Sequence, residues 1–134
     1  MTPSNISVPA NSLLHKWLYV HSYTEVPRSY LLCCGLSLLG ILMRRSIWVD
    51  QIDWRVWPNM SVLLVGPSGV GKDTTIDQVG KVVRQLMPNH IVGGRTMEYV
   101  YDRLLQIGNP AAAYIPIPEL SAFFGGKDYK KSMV

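Results

Sequence analysis

Cysteine is scarce and poorly placed for chemistry, since Cys33 and Cys34 are the whole complement. Sequence neighbours close only a strained disulfide, and no third thiol offers another partner. The pair therefore reads as two small buried apolar residues in a reducing compartment. Histidine is scarce too. His15, His21 and His90 stand far apart and lack the spacing of a metal-ligand set. Charge is thin: 16% of residues are charged against 48% hydrophobic, which excludes a disordered or solvated tail. Blocks of one sign are also missing. The 13 basic and 9 acidic residues give a net +4 but lie scattered, so a polyanionic partner is tolerated rather than demanded.

No apolar run is long enough to cross a membrane. Tyr30 to Met43 (YLLCCGLSLLGILM) is 14 residues long and stops at Arg44-Arg45, whereas a spanning helix needs roughly 20 apolar residues. A buried core helix is expected there instead. The opening MTPSNISVPA has no basic stretch leading into an apolar core, as a signal peptide would. The expectation is a cytoplasmic protein with no membrane partner.

What is present falls into two textures: a helical segment with short strands over 1–57, and a strand-helix alternation over 58–134. In the first, Leu13, Leu14, Trp17 and Leu18 recur at helical spacing after Asn11-Ser12, either of which can cap. Pro27 suits the first turn of a second helix reaching about Arg45. Ser46 to Val49 and Trp54 to Trp57 read as short strands around the polar turn Asp50 to Asp53. Trp48, Trp54 and Trp57 are expected in the core.

In the second, Ser61 to Val65 (SVLLV) reads as a buried parallel strand ending in a glycine-rich loop. From Lys72 the positions Ile76, Val79, Val83 and Leu86 form an apolar stripe that Pro88 closes. His90 to Val92 is a second strand candidate before Gly93-Gly94. Thr96 caps a further helix with Glu98 in its first turn and Gly108 at its C-cap. Ala111 to Ile117 is a third strand candidate, ending at Pro118-Glu119, with a helix from Glu119 to Phe124. This order predicts an α/β fold, a partial P-loop NTPase-type parallel sheet behind an N-terminal helical segment.

The chemistry lies in Gly66-Pro67-Ser68-Gly69-Val70-Gly71-Lys72, which is GxxxxGK. Three glycines let the backbone coil so that successive N–H groups face one concavity. Lys72 brings a charge to the β/γ-phosphates, and the helix that follows presents its positive end. The position after the lysine usually holds Ser or Thr, whose hydroxyl ligates Mg²⁺; here it is Asp73, with Thr74 the nearest hydroxyl. A carboxylate is a competent hard-cation ligand. Glu119, at the end of the third strand candidate, is placed to hold Mg²⁺ or polarise the attacking water. Candidate site residues are thus Gly66 to Thr74 for ATP, Asp73, Thr74 and Glu119 for Mg²⁺, and Lys72 and Glu119 for catalysis. Arg95 reads as a surface arginine, with a phosphate or a neighbouring subunit as the alternative, and the basic tail Lys127, Lys130 and Lys131 around Tyr129 reads as solvated charge, with nucleic acid as the alternative.

The runs PNMSVLLVGPSGVGKDTT, PRSYLLCCGLSLLGILMRRSIWV, HIVGGRTMEYVYDRLL and IPELSAFFGGKDYKKSM resemble a family of uncharacterised P-loop ATPases. That family occurs in bacteriophages and other mobile elements, often fused or adjacent to primase domains. It is similar to the RecA-like and AAA+ helicases of replication. The resemblance runs from about Leu13 onward. It implies that Lys72 is the phosphate lysine and that Glu119 stands in the Walker B position. It also implies single-stranded DNA and a homo-oligomeric ring as partners. Asp73 and the Pro118-Glu119 pair depart from the family pattern. Family members continue into further strands, a polar sensor and an arginine finger, so the chain reads as an N-terminal portion that binds ATP and hydrolyses it slowly by itself. The alternatives are a small-molecule kinase (nucleotide or sugar-phosphate), some of which share the GKD variant, and a non-catalytic nucleotide-binding or assembly module.

Overall fold

A computed structural model of the chain describes residues 7–93, 96–108, 112–118 and 123. The chain divides into two compact units, Met1–Val79 and Gly80–Val134.

In the first unit, helix α1 (Leu13–Val20) starts where Ser12 caps it, the Ser12 hydroxyl accepting from the His15 N–H at 3.0 Å. Helix α2 (Arg28–Met43) follows Pro27, whose fixed φ suits a helix entrance. The two helices pack together, and the Trp17 indole N–H donates to the Leu31 carbonyl at 2.8 Å. Trp17, Leu18, Leu31, Leu32, Cys34, Leu38 and Ile41 are buried. With both cysteines free and Cys34 in this core, the apolar reading of the thiols holds for Cys34, while Cys33 is half-buried.

Strands β1 (Val49–Asp50) and β2 (Arg55–Val56) form an antiparallel hairpin, with Val49 opposite Val56 and Asp50 opposite Arg55. The expected strands are there, trimmed and shifted, but their tryptophans are not core. Trp48 and Trp54 are exposed and Trp57 is half-buried. Arg55 lies over the Trp48 ring and Arg45 over the Trp57 ring, at 5.0 and 4.2 Å from the ring centroids. Guanidinium cover replaces burial for these two indoles.

The predicted parallel sheet is not formed among the described residues. Half of the structure is helix, and its strands are the two short antiparallel ones. Residues 61–65 join no ladder. This stretch follows Pro58, whose carbonyl crosses α2 so closely that a Cβ on Gly40 would stand 2.7 Å from it. The stretch then reaches the first turn of α2, where the Tyr30 hydroxyl donates to the Val65 carbonyl at 2.7 Å. Val62 and Leu64 are half-buried, while Leu63 and Val65 are 68% and 76% exposed. An apolar run of alternating exposure beside a helix is thus what the sequence pattern presents as a doubly buried strand. Helix α3 (Lys72–Leu86) begins directly after the glycine-rich loop. Its buried positions are Thr75, Val79 and Val83, continued by Met87; Leu86 is 62% exposed and Ile76 half-buried, so the expected stripe holds at Val79 and Val83 and differs by one residue at each end.

In the second unit, Pro88–His90 forms a 3₁₀ turn, and the strand expected over His90 to Val92 is reduced to a single bridge at Ile91. Parallel pairing among the described residues is limited to the bridge between Ile91 and Tyr114. There Val92 donates to Tyr114 and Tyr114 donates to His90, at 2.9 and 2.8 Å. The His90 Nδ1–H adds a bond of 2.6 Å to the Ala112 carbonyl. Helix α4 (Met97–Ile107) is capped by the Thr96 hydroxyl, which accepts from Tyr99 at 3.3 Å, and ends at Gly108 with φ +92°. Val92, Val100 and Phe123 are its buried core, with Leu104, Ile107, Ile115 and Ile117 packed against them.

Candidate phosphate-binding site

The loop between Val65 and α3 is shaped by two glycines. Gly69 and Gly71 have φ of +82° and +85°, while Ser68, Val70 and Lys72 avoid positive φ. Positive φ thus recurs at every second residue of the loop, as in an anion-binding nest, where such alternation turns successive N–H groups to one side. Ser68 and Gly69 form a turn, and after it no backbone N–H from Gly71 to Thr74 donates to a protein acceptor outside α3 among the described residues. The end of the loop and the first turn of α3 therefore present consecutive free donors at a helix N-terminus, where the dipole adds positive potential.

Lys72 curls back over the same loop. Its ammonium donates to the Gly66 and Pro67 carbonyls at 2.7 and 2.6 Å rather than to the neighbouring Asp73 carboxylate. The cation is thus held at the start of the loop by backbone oxygens. Thr75 seals the loop from below. It is fully buried, its hydroxyl donates to the Gly71 carbonyl at 2.8 Å, and its N–H donates to the same oxygen at 3.1 Å. Val26, just before α2, packs under Gly71, where a Cβ would come within 2.7 Å of Val26 Cγ2.

Gly66 to Thr74 lie within one unit. The donor set suits a polyphosphate: several N–H groups, one ammonium and a helix N-terminus in one turn of chain. For Mg²⁺ the fit is sparser. Asp73 and Thr74 are exposed on the first turn of α3, and no group of three His, Cys, Asp or Glu gathers among the described residues. A metal here would take Asp73 or Thr74 together with phosphate oxygens and water, as magnesium commonly does. Glu119, Arg95, Lys127, Lys130 and Lys131, and the helix expected from Glu119, lie outside the described residues apart from Phe123.

Sequence reasoning missed three supports of the loop: Tyr30, Val26 and Thr75. The signal for Thr75 is in the motif, because a second threonine four residues after Gly71 can return its hydroxyl to that carbonyl. Nothing local marks Tyr30 or Val26, whose contacts span 35 and 45 residues of chain. No helix among the described residues is long and apolar enough to cross a membrane. No family model, curated protein or solved structure matches the chain.

Proposed function

We propose that Gly66 to Thr74 binds the phosphates of ATP with Mg²⁺, and that the chain is the ATP-binding portion of a replicative-helicase-like ATPase from a bacteriophage or mobile element. Single-stranded DNA and further copies of the chain in a ring are its partners in this reading, and the cytoplasm its compartment. The observation that carries the phosphate half is the loop itself: two left-handed glycines, free N–H donors at the start of α3 and the Lys72 ammonium bonded to the same loop. The helicase-like half rests on the sequence resemblance. Because the described residues build the loop without a parallel sheet, phosphate binding stands on the loop alone.

The test is calorimetric titration of the chain with ATP-Mg²⁺. Lys72→Ala removes a cation whose bonds are to exposed backbone oxygens, so the fold survives while binding is lost. Unchanged affinity in a folded Lys72→Ala variant refutes the assignment. Stimulation of phosphate release by single-stranded DNA separates the helicase-like reading from a kinase, which transfers phosphate to a small acceptor.

A further inference from the structure

Three consecutive carbonyls at the start of the loop are each taken by a donor. Lys72 holds those of Gly66 and Pro67, and the Tyr30 hydroxyl holds that of Val65 at 2.7 Å. In a trans peptide the carbonyl and the next N–H point opposite ways. Whatever fixes the Val65 carbonyl therefore fixes the plane of the peptide that enters Gly66. Tyr30 stands in the first turn of α2, half-buried, 35 residues from its acceptor. The contact is close on the other side as well. A Cβ on Gly66 would collide with the Tyr30 hydroxyl, whereas the ring carbon bearing that hydroxyl lies at an ordinary 3.6 Å.

We propose that Tyr30 is a positioning residue for the phosphate loop, setting the entry of the chain into Gly66 so that the donors of Gly71 to Thr74 are ready for the polyphosphate of a nucleoside triphosphate. The inference rests on the phosphate-binding reading above and adds to it a requirement on α2. Tyr30 touches no phosphate in this scheme. It acts through Val65 and Gly66.

Two substitutions test it together. Tyr30→Phe keeps the ring and removes only the hydroxyl, and the bond it breaks is exposed, so water replaces it at little cost to the fold. The expected effect is an affinity for ATP-Mg²⁺ weakened about three- to ten-fold, the worth of one hydrogen bond spent on preorganisation. Gly66→Ala in the wild-type background meets the hydroxyl and weakens binding further. In the Tyr30→Phe background the same alanine meets a ring carbon at contact distance and still meets Val70 Cγ1 at 3.3 Å, a contact common to both backgrounds, so it adds less than it does in the wild type. This non-additivity is the readout that a merely structural tyrosine does not produce.

Nuclear magnetic resonance reports the fold in the same samples. The Trp17 indole N–H, bonded to the Leu31 carbonyl, monitors α1 on α2, and the amides of Gly66, Gly69 and Gly71 monitor the loop. The proposal expects loop amides that move and a Trp17 signal that stays. Wild-type affinity in Tyr30→Phe, additive effects of the two substitutions, or a displaced Trp17 signal each overturn it. Lys72→Ala, titrated beside them, separates the levels. If Lys72→Ala loses binding and Tyr30→Phe does not, only the role of Tyr30 falls; if Lys72→Ala binds normally, both readings fall.

Discussion

Alanine at Gly71 and alanine at Gly69 pose the same backbone problem in different surroundings, and the comparison measures how the loop is supported. Both glycines are left-handed, at φ +85° and +82°. A residue with a Cβ held in that region costs about 1–3 kcal/mol. Replacing glycine also narrows the unfolded ensemble, a gain of about 0.4–1 kcal/mol that is common to both sites and cancels between them. The surroundings do not cancel. At Gly69 a Cβ meets no atom within 4 Å, whereas at Gly71 it meets Val26 Cγ2 at 2.7 Å. Crowding of that kind costs about 1–3 kcal/mol. Gly71→Ala is therefore expected to destabilise the chain by about 1–3 kcal/mol more than Gly69→Ala.

Urea unfolding at equilibrium reads this difference, provided the slopes of the two variants agree. Val26→Ala supplies the internal control. Combined with Gly71→Ala it removes the offending methyl and should narrow the gap, while leaving the backbone strain. Combined with Gly69→Ala it should change nothing beyond its own cost, because the two do not touch. Equal stabilities for Gly71→Ala and Gly69→Ala would refute the reasoning, and so would a gap that Val26→Ala leaves untouched.

Burial, and then the neighbouring Cys33, push the Cys34 thiol up from 9.0 to about 11. The folded state thus favours the neutral thiol: this stabilisation is complete below pH 9 and is lost as pH rises through about 11, amounting to about 2–3 kcal/mol. Cys34→Ala should flatten the unfolding free energy over that window relative to wild type, and an identical pH dependence would exclude the effect. Asp73→Ser should retain magnesium-dependent ATP binding and Asp73→Ala weaken it; an unchanged magnesium dependence in Asp73→Ala assigns the metal to Thr74 or water. Thr75→Val removes a buried hydroxyl from the Gly71 carbonyl but leaves the N–H bond to the same oxygen. A loss of about 0.5–1.5 kcal/mol in chemical denaturation is expected.

The helices were legible because their ends are written locally. Ser12 and Thr96 cap through their own hydroxyls, Pro27 and Gly108 supply the φ their positions need, and each acts within a few residues. The stripe of α3 holds at Val79 and Val83, and its first buried position is Thr75 rather than Ile76 for a physical reason. Thr75 counts as polar, yet its hydroxyl is satisfied by Gly71 one turn back, and a satisfied hydroxyl is buried as readily as a methyl. The tryptophans misled in the opposite direction. Alternation along 48–57 reports which residues share a face, not whether anything covers that face. Trp48 and Trp54 stay exposed, and Arg45 and Arg55 lie over the rings of Trp57 and Trp48.

The same distinction explains why the loop took shape where the sheet did not. Each bond that shapes the phosphate loop from within is short in sequence: Lys72 to Gly66 and Pro67, and Thr75 to Gly71. Such contacts require little loop closure, so the motif forms wherever its own residues are present. A parallel ladder for residues 61–65 needs partners brought from far along the chain, and the pattern Val62 to Val65 names none of them. The entry to the loop still has to be fixed by something. In a sheet, neighbouring strands would take the Val65 carbonyl; here a single hydroxyl takes it, reaching across 35 residues from α2. This long-range hydrogen bond thus does for the loop's first residue what a ladder would do, which is why the sequence motif alone gave no sign of Tyr30.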